Sequence, residues 1–211
     1  MPRPKGARDA GYETRRSELL RGMAAHMMRR ETPRPSLREL AASAGVSVPT
    51  LRHYFGARPQ VVDAICEDCL LTGRPGLDAQ RESEKPFAES IVDYVQALVR
   101  ALETQREVRL GDLFAVGLGE GLLDPAMGPS ALRHIIDPTV ETLEIRLRGH
   151  IARGEMIDTD ARAAALMLIS PLLLGVLHQR QMGGASCTPL DLTAVSETIT
   201  AAFVRAFQAP A

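Results

Sequence analysis

Pro49, Thr50, Arg52, His53 and Tyr54 are the residues of this chain whose types and spacing most clearly suggest a chemistry. A helix starting at Val48 turns them to one side, while Val48, Leu51 and Phe55 fall on the other at apolar helical spacing. The outer side then carries a guanidinium, an imidazole, a threonine hydroxyl and a phenol. An arginine fork can donate twice to the O6 and N7 of guanine or grip a phosphate, and hydroxyl donors suit phosphate oxygens. A short, polar, basic and aromatic helix face of this kind suits the DNA major groove, with its first turn at base edges and its rim on the backbone. Val48, in that first turn, counts both toward the inward stripe and among the candidate contacts.

Such a helix works only if it is held at a fixed angle, and the residues before it supply the holder. Ser36 and Glu39 have the spacing of a capping box. Leu37, Leu40, Ala41 and Ala44 follow at i, i+3, i+4 and i+7, one apolar stripe. Gly45 stands where a helix ends in a left-handed residue. Ser47 can cap the next helix, with Pro49 in its first turn, where no N–H is needed. The pattern predicts two short helices joined by a tight turn. Ser36, Ser47, Tyr54 and Arg58 are the candidate phosphate contacts; Pro49, Thr50, Arg52 and His53 are the candidate base contacts.

Other constellations carry less. Cys66 and Cys69 form a C-x-x-C, but both fall on the apolar side of a helical pattern beside Val61, Val62 and Ile65. They read as small buried hydrophobes, with a thiol switch or soft-metal sensor as the alternative. No second pair completes a zinc set, and the third cysteine, Cys187, leaves an odd count and no disulfide framework. Gly117-Leu-Gly-Glu-Gly121 has neither the preceding strand nor the glycine placement of a phosphate loop. The acidic pairs Asp158/Asp160 and Asp112/Glu120 read as helix caps or surface charge. No nucleophile-elbow, zinc-protease or calcium-loop motif is present, so an enzyme is not expected, nor a cofactor.

Charge is divided unevenly along the 211 residues. Residues 1–58 hold twelve Lys/Arg against five Asp/Glu, and the remainder holds thirteen against twenty-one. A basic first quarter on an acidic body implies a polyanionic partner at one end. The start of the chain has no apolar leader, and the longest apolar run, 163–177, is interrupted by Ser170, Pro171 and Gly175. A core helix, no membrane span and a cytoplasmic location are expected.

In chain order, residues 1–13 are expected to form a flexible basic arm. A helix is expected over 14–30, ended by Pro33 and Pro35. The two short helices follow, then a linking helix from Arg58 to about Leu71. Gly73, Pro75 and Gly76 open the expected domain boundary, which extends to Pro86. Beyond it, helices are expected over about 87–105, 108–118, 138–153, 160–182 and 189–207, with a glycine- and proline-rich loop holding Gly119, Gly121, Pro125, Gly128 and Pro129. The 163–177 stretch is apolar nearly all round and needs covering on every side. With the stripe Leu192, Val195, Ile199, Ala202/Phe203 and Ala206, it reads either as intrachain core or as half of a four-helix interface with a second copy.

The run from Leu37 to Arg58, above all Ala44-Gly45-Val46-Ser47 followed by Thr50-Leu51 and Tyr54-Phe55, resembles the DNA-binding domain of TetR-type transcriptional regulators over residues 14–70. Arg52 stands where that family usually has tyrosine, and Arg58 where it usually has lysine. The resemblance implies an all-α chain: a helix-turn-helix domain over 14–72 and a helical ligand-binding and dimerisation domain over 73–211. It implies a homodimer through helices near 160–182 and 190–207, bound to a palindromic double-stranded operator. It also implies repression relieved by a small-molecule effector in a pocket of the second domain. Tyr94, Leu98, Phe114, Met127, His134, Met167, Ser170 and His178 are the candidate lining residues, and their character suits a hydrophobic molecule with few polar groups. A helical dimeric interaction module without specific DNA binding, and a regulator responding through Cys66 and Cys69, are the alternatives.

Overall fold

The computed structural model of the chain describes residues 5–29, 34–104 and 108–210. Its regular elements are helices: α1 Lys5–Met27, α2 Leu37–Ser43, α3 Val48–Phe55, α4 Arg58–Asp78, α5 Phe87–Glu103, α6 Leu110–Leu123, α7 Gly128–Ala131, a π-helical turn Leu132–Ile136, α8 Asp137–Ala152, α9 Ala161–Arg180, α10 Gly184–Cys187 and α11 Leu192–Phe207. A lone backbone bridge pairs Met156 with Gln208.

Several boundaries differ from expectation. Helix α1 begins at Lys5, so the second part of the expected arm is helical, while residues 1–4 lie outside the described set. Its expected end at Arg30 and Pro33, and the expected helix end at Gln105, also lie outside it. Helix α4 runs on through Gly73, Pro75 and Gly76. A proline there removes one N–H from the ladder, and the helix continues around it. Helix α6 continues through Gly119 and Gly121, which were expected in a loop. A Cβ on Gly121 would stand 3.3 Å from the Gly128 Cα, so the glycine lets α6 and α7 approach closely. Helix α9 instead matches the helix expected over about 160–182, passing unbroken through Ser170, Pro171 and Gly175. By length and composition it is the one helix among the described residues that could cross a bilayer. It packs against α8, α11, α10 and α5.

The chain divides into two compact units, 1–72 with 116–134, and 73–115 with 135–211. The first is built around Leu19, Leu20, Met23 and Met27 of α1, Leu40 and Ala41 of α2, Leu51 and Phe55 of α3, and Val61, Val62 and Ile65 of α4, all buried. In the second, α9 packs on α8 and α11, and α11 on α5. Ile91, Tyr94 and Val95, Leu143 and Leu147, Leu168 and Leu172, and Phe203 form its core.

Candidate nucleic-acid interface

Both short helices are capped as their sequences imply. The Glu39 backbone N–H donates to Ser36 Oγ at 3.3 Å, and the Ser36 N–H donates to Glu39 Oε2 at 2.7 Å. Those bonds to Ser36 hold the Glu39 carboxyl below the ordinary carboxylate range. Ser47 Oγ accepts from the Thr50 N–H at 3.2 Å and lies 2.8 Å from Thr50 Oγ1. Between the helices Gly45 takes φ +66°, a left-handed turn at no steric cost to glycine. The angle between α2 and α3 is therefore set by local chemistry as well as by packing.

Leu51 and Phe55 are buried, while Pro49, Thr50, Arg52 and His53 are exposed. Val48 is half-buried at the start of the helix. The structure thus brings the candidate base contacts onto one open face of α3. Tyr54 is half-buried because its ring stacks on Tyr12 of α1, with centroids 4.9 Å apart and 16° between planes. The His53 ring meets Tyr54 edge-on at 5.7 Å. The Arg16 guanidinium lies 5.3 Å above the Phe55 ring.

Arg58 is engaged within the protein. Its Nε donates to the Pro35 carbonyl at 2.8 Å, Nη1 to Glu120 Oε2 at 2.8 Å and Nη2 to Glu120 Oε1 at 2.5 Å. Arg34 adds Nε to Glu120 Oε2 at 3.3 Å and an ion pair to Asp124 at 3.6 Å. Burial pushes the Glu120 carboxyl up, but the two guanidinium groups outweigh it and leave it below the ordinary value. Glu120 is therefore a buried counter-ion, not surface charge, and Asp112 is a separate buried acid bonded to Gln181 and Arg109. Asp160 is a cap as expected, accepting from the Arg162 and Ala163 N–H groups.

The candidate effector contacts are dispersed. Met127 and His134 belong to the first unit; Tyr94, Leu98, Phe114, Met167, Ser170 and His178 belong to the second. Tyr94, Leu98, Phe114 and Met127 are buried. His134 Nε2 is buried 3.3 Å from Asp63 Oδ1, out of line for a hydrogen bond. Met167 and Ser170 lie on the exposed face of α9, where Ser170 Oγ donates to the Leu166 carbonyl. His178 Nδ1 accepts from Gln179 Nε2. Burial pushes the Cys66 thiol up to about 12 and that of Cys69 up to about 11, so both remain neutral thiols near neutral pH. Among the described residues no group of three or more His, Cys, Asp or Glu is placed to hold a metal ion.

One constellation has the order of a hydrolytic triad. His150 Nε2 lies 2.8 Å from Ser90 Oγ and Nδ1 lies 2.5 Å from Glu155 Oε2. Ser90 and His150 are both 0% exposed, and Ser90 Oγ already accepts from Arg146 Nη1 at 2.9 Å. No substrate reaches a serine enclosed in this way. Arg146 also donates to the Gln80 and Glu82 carbonyls, so the group ties the segment before α5 to α8 within the second unit. Nothing in the local sequence signals it, because Ser90 and His150 are sixty residues apart.

No protein-family model matches the chain, and no curated protein matches it in sequence. Solved structures match over nearly the whole chain. A Rhodococcus sp. protein described as a TetR-family transcriptional regulator gives a TM-score of 0.70 at 15% identity, over 90% of this chain and 97% of that one. A TetR family transcriptional regulator from Pseudomonas syringae gives 0.64 at 19% identity, over 94% and 98%. SmeT, the repressor of the Stenotrophomonas maltophilia multidrug efflux pump SmeDEF, gives 0.61 at 18% identity, over 92% and 90%. Capped helices α2 and α3, the left-handed turn at Gly45 and these likenesses lead to one conclusion about architecture: the chain has the all-α fold of the TetR-family transcriptional regulators.

Proposed function

We propose that the chain is a DNA-binding transcriptional regulator that reads a palindromic operator as a homodimer. The observation that carries this reading is the open face of α3, where Pro49, Thr50, Arg52 and His53 stand exposed above a buried Leu51 and Phe55. A polar, basic face on a rigidly capped helix suits groove entry and has no use inside a folded chain.

The second copy is inferred from α9 and α11. Leu166, Met167 and Leu174 are 42%, 61% and 62% exposed on one side of α9. Ala194, Thr198, Ala201 and Ala202 are exposed small residues of α11. An apolar strip beside a strip of small side chains suits close packing of the same pair from a twin chain. Met167 and Ser170 then fit the dimer contact better than an effector pocket. Tyr94, Leu98, Phe114 and His178, all in the second unit, stay the candidate effector contacts, for a small apolar molecule whose binding lowers DNA affinity; Met127 and His134 lie in the first unit. By linkage, DNA must weaken effector binding by the same factor. Repression is the direction we favour, since SmeT, of like fold, is a repressor.

The test is selection of random duplex DNA by the purified chain at near-physiological salt. Enrichment of an inverted repeat is expected. Binding that is salt-sensitive but enriches no sequence would refute the operator reading.

A further inference from the structure

We propose that Tyr12 is a positioning residue for DNA binding, acting by fixing the Tyr54 ring before DNA arrives. The proposal rests on the DNA-binding reading and adds a residue outside the helix-turn-helix to it. Tyr12 lies on α1, and its ring is nearly parallel to that of Tyr54 at 4.9 Å. Four residues further along α1, Arg16 covers the Phe55 ring at 5.3 Å. Residues i and i+4 share a helix face, so one face of α1 grips two successive rings in the last turn of α3. The pair Tyr12–Tyr54 sits at the rim, not in the core: Tyr12 keeps 39% of its surface exposed.

Tyr54 is a candidate phosphate contact, and a phenol hydroxyl makes a useful bond to phosphate only when its ring is aimed. A free surface tyrosine loses rotamer freedom on binding, and a ring already stacked has lost it in advance. The stack also excludes rotamers of Tyr54 that would turn the ring away from Tyr12. Edge contact with His53 carries the same restraint to a candidate base contact. Tyr12 thus needs a flat ring and not a hydroxyl.

The experiment measures binding of the full-length chain to its selected duplex for Tyr12→Leu, Tyr12→Phe, Tyr54→Leu and the double variant Tyr12→Leu/Tyr54→Leu, with thermal midpoints in parallel. Tyr12→Leu should weaken binding roughly tenfold, the scale of one hydrogen bond to a charged group. Tyr12→Phe should bind within about twofold of the unaltered chain, because stacking survives. The double variant should bind no more weakly than Tyr54→Leu alone. Unaltered binding by Tyr12→Leu, or losses that multiply in the double variant, would overturn the proposal while the DNA-binding reading stands. Failure of the unaltered chain to bind any duplex would overturn that reading and this proposal with it.

Discussion

Arg58 and Glu120, sixty-two residues apart in the chain, are joined through both terminal nitrogens of the guanidinium and both carboxylate oxygens. Glu120 is 5% exposed and Arg58 20%. The Arg58 Nε on the Pro35 carbonyl extends the brace to the residue before the α2 cap. An arginine at the start of α4 looks from sequence like a phosphate contact, but this one is held inside the first unit. Its effect on DNA should therefore come through the frame that carries α3. Arg58→Ala leaves a buried carboxylate without its main partner. It should cost about 2–3 kcal/mol, less than a fully buried pair because Arg58 keeps part of its surface in water. Urea unfolding of the full chain checks this, and replacing both residues by methionine should restore much of the loss. An unchanged urea midpoint in Arg58→Ala would show that the brace contributes nothing.

His150 should make the protein less stable as pH falls. Burial pushes its pKa below the ordinary histidine value, a direction that the Glu155 bond only partly opposes. The unfolded chain therefore takes up a proton near pH 6.5 while the folded chain stays neutral. The unfolded state binds more protons there, so stability rises with pH and is lost as pH drops below about 6.5. Thermal midpoints from pH 7.5 to 5.5 should fall, and His150→Gln should flatten that slope whatever its absolute stability. Glu120 acts in a lower window. Its folded pKa is depressed, so its contribution is present above the ordinary carboxylate range and disappears below about pH 4.3.

Much of this was legible in the sequence because it is written locally. Ser36 with Glu39, Ser47 with Thr50, Gly45 at its turn and Asp160 before α9 each determine structure within four residues. The exposed face of α3 follows from the same short period. What escaped were partners chosen by the fold across long separations: Glu120 for Arg58, Ser90 for His150, Tyr12 for Tyr54. No spacing rule reaches such pairs. Glu120 was misplaced on the surface because its local setting, between two glycines, looks like a loop. The helix through Gly119 and Gly121 is favoured by the close approach to Gly128. The effector residues rest on the family resemblance, and neither it nor apolar helical spacing distinguishes core from pocket.

Arg52 separates sequence reading from backbone binding. Its side chain is exposed on α3 in the turn after Thr50. If it donates to guanine, Arg52→Ala should cost about 1–3 kcal/mol on the selected operator and relax one base position. Its loss on random duplex should be smaller. Arg58→Ala, acting through the frame, should weaken both alike. Parallel titrations against operator and scrambled duplex decide the matter, and equal losses for Arg52→Ala would remove its base-reading role.

The exposed side of α9 should decide the oligomeric state. Leu174 is 62% exposed and lies two turns along the helix from Met167, which is 61% exposed. Leu174→Glu would bring a carboxylate from each copy into an apolar contact, and burying unpaired charge there costs several kcal/mol. The same change on a free helix surface costs almost nothing. Sedimentation should therefore show a dimer for the unaltered chain and a monomer for Leu174→Glu, with near-equal thermal stability of the separated chains. A palindrome is read by two α3 helices held at fixed spacing, so the monomer should lose affinity for the inverted repeat far more than for a single half-site. The salt dependence should follow: each phosphate contact contributes a slope of about −0.9, and removing one protomer should halve it. A Leu174→Glu chain that stays dimeric would place the interface elsewhere, and the exposed strip of α9 would need another partner.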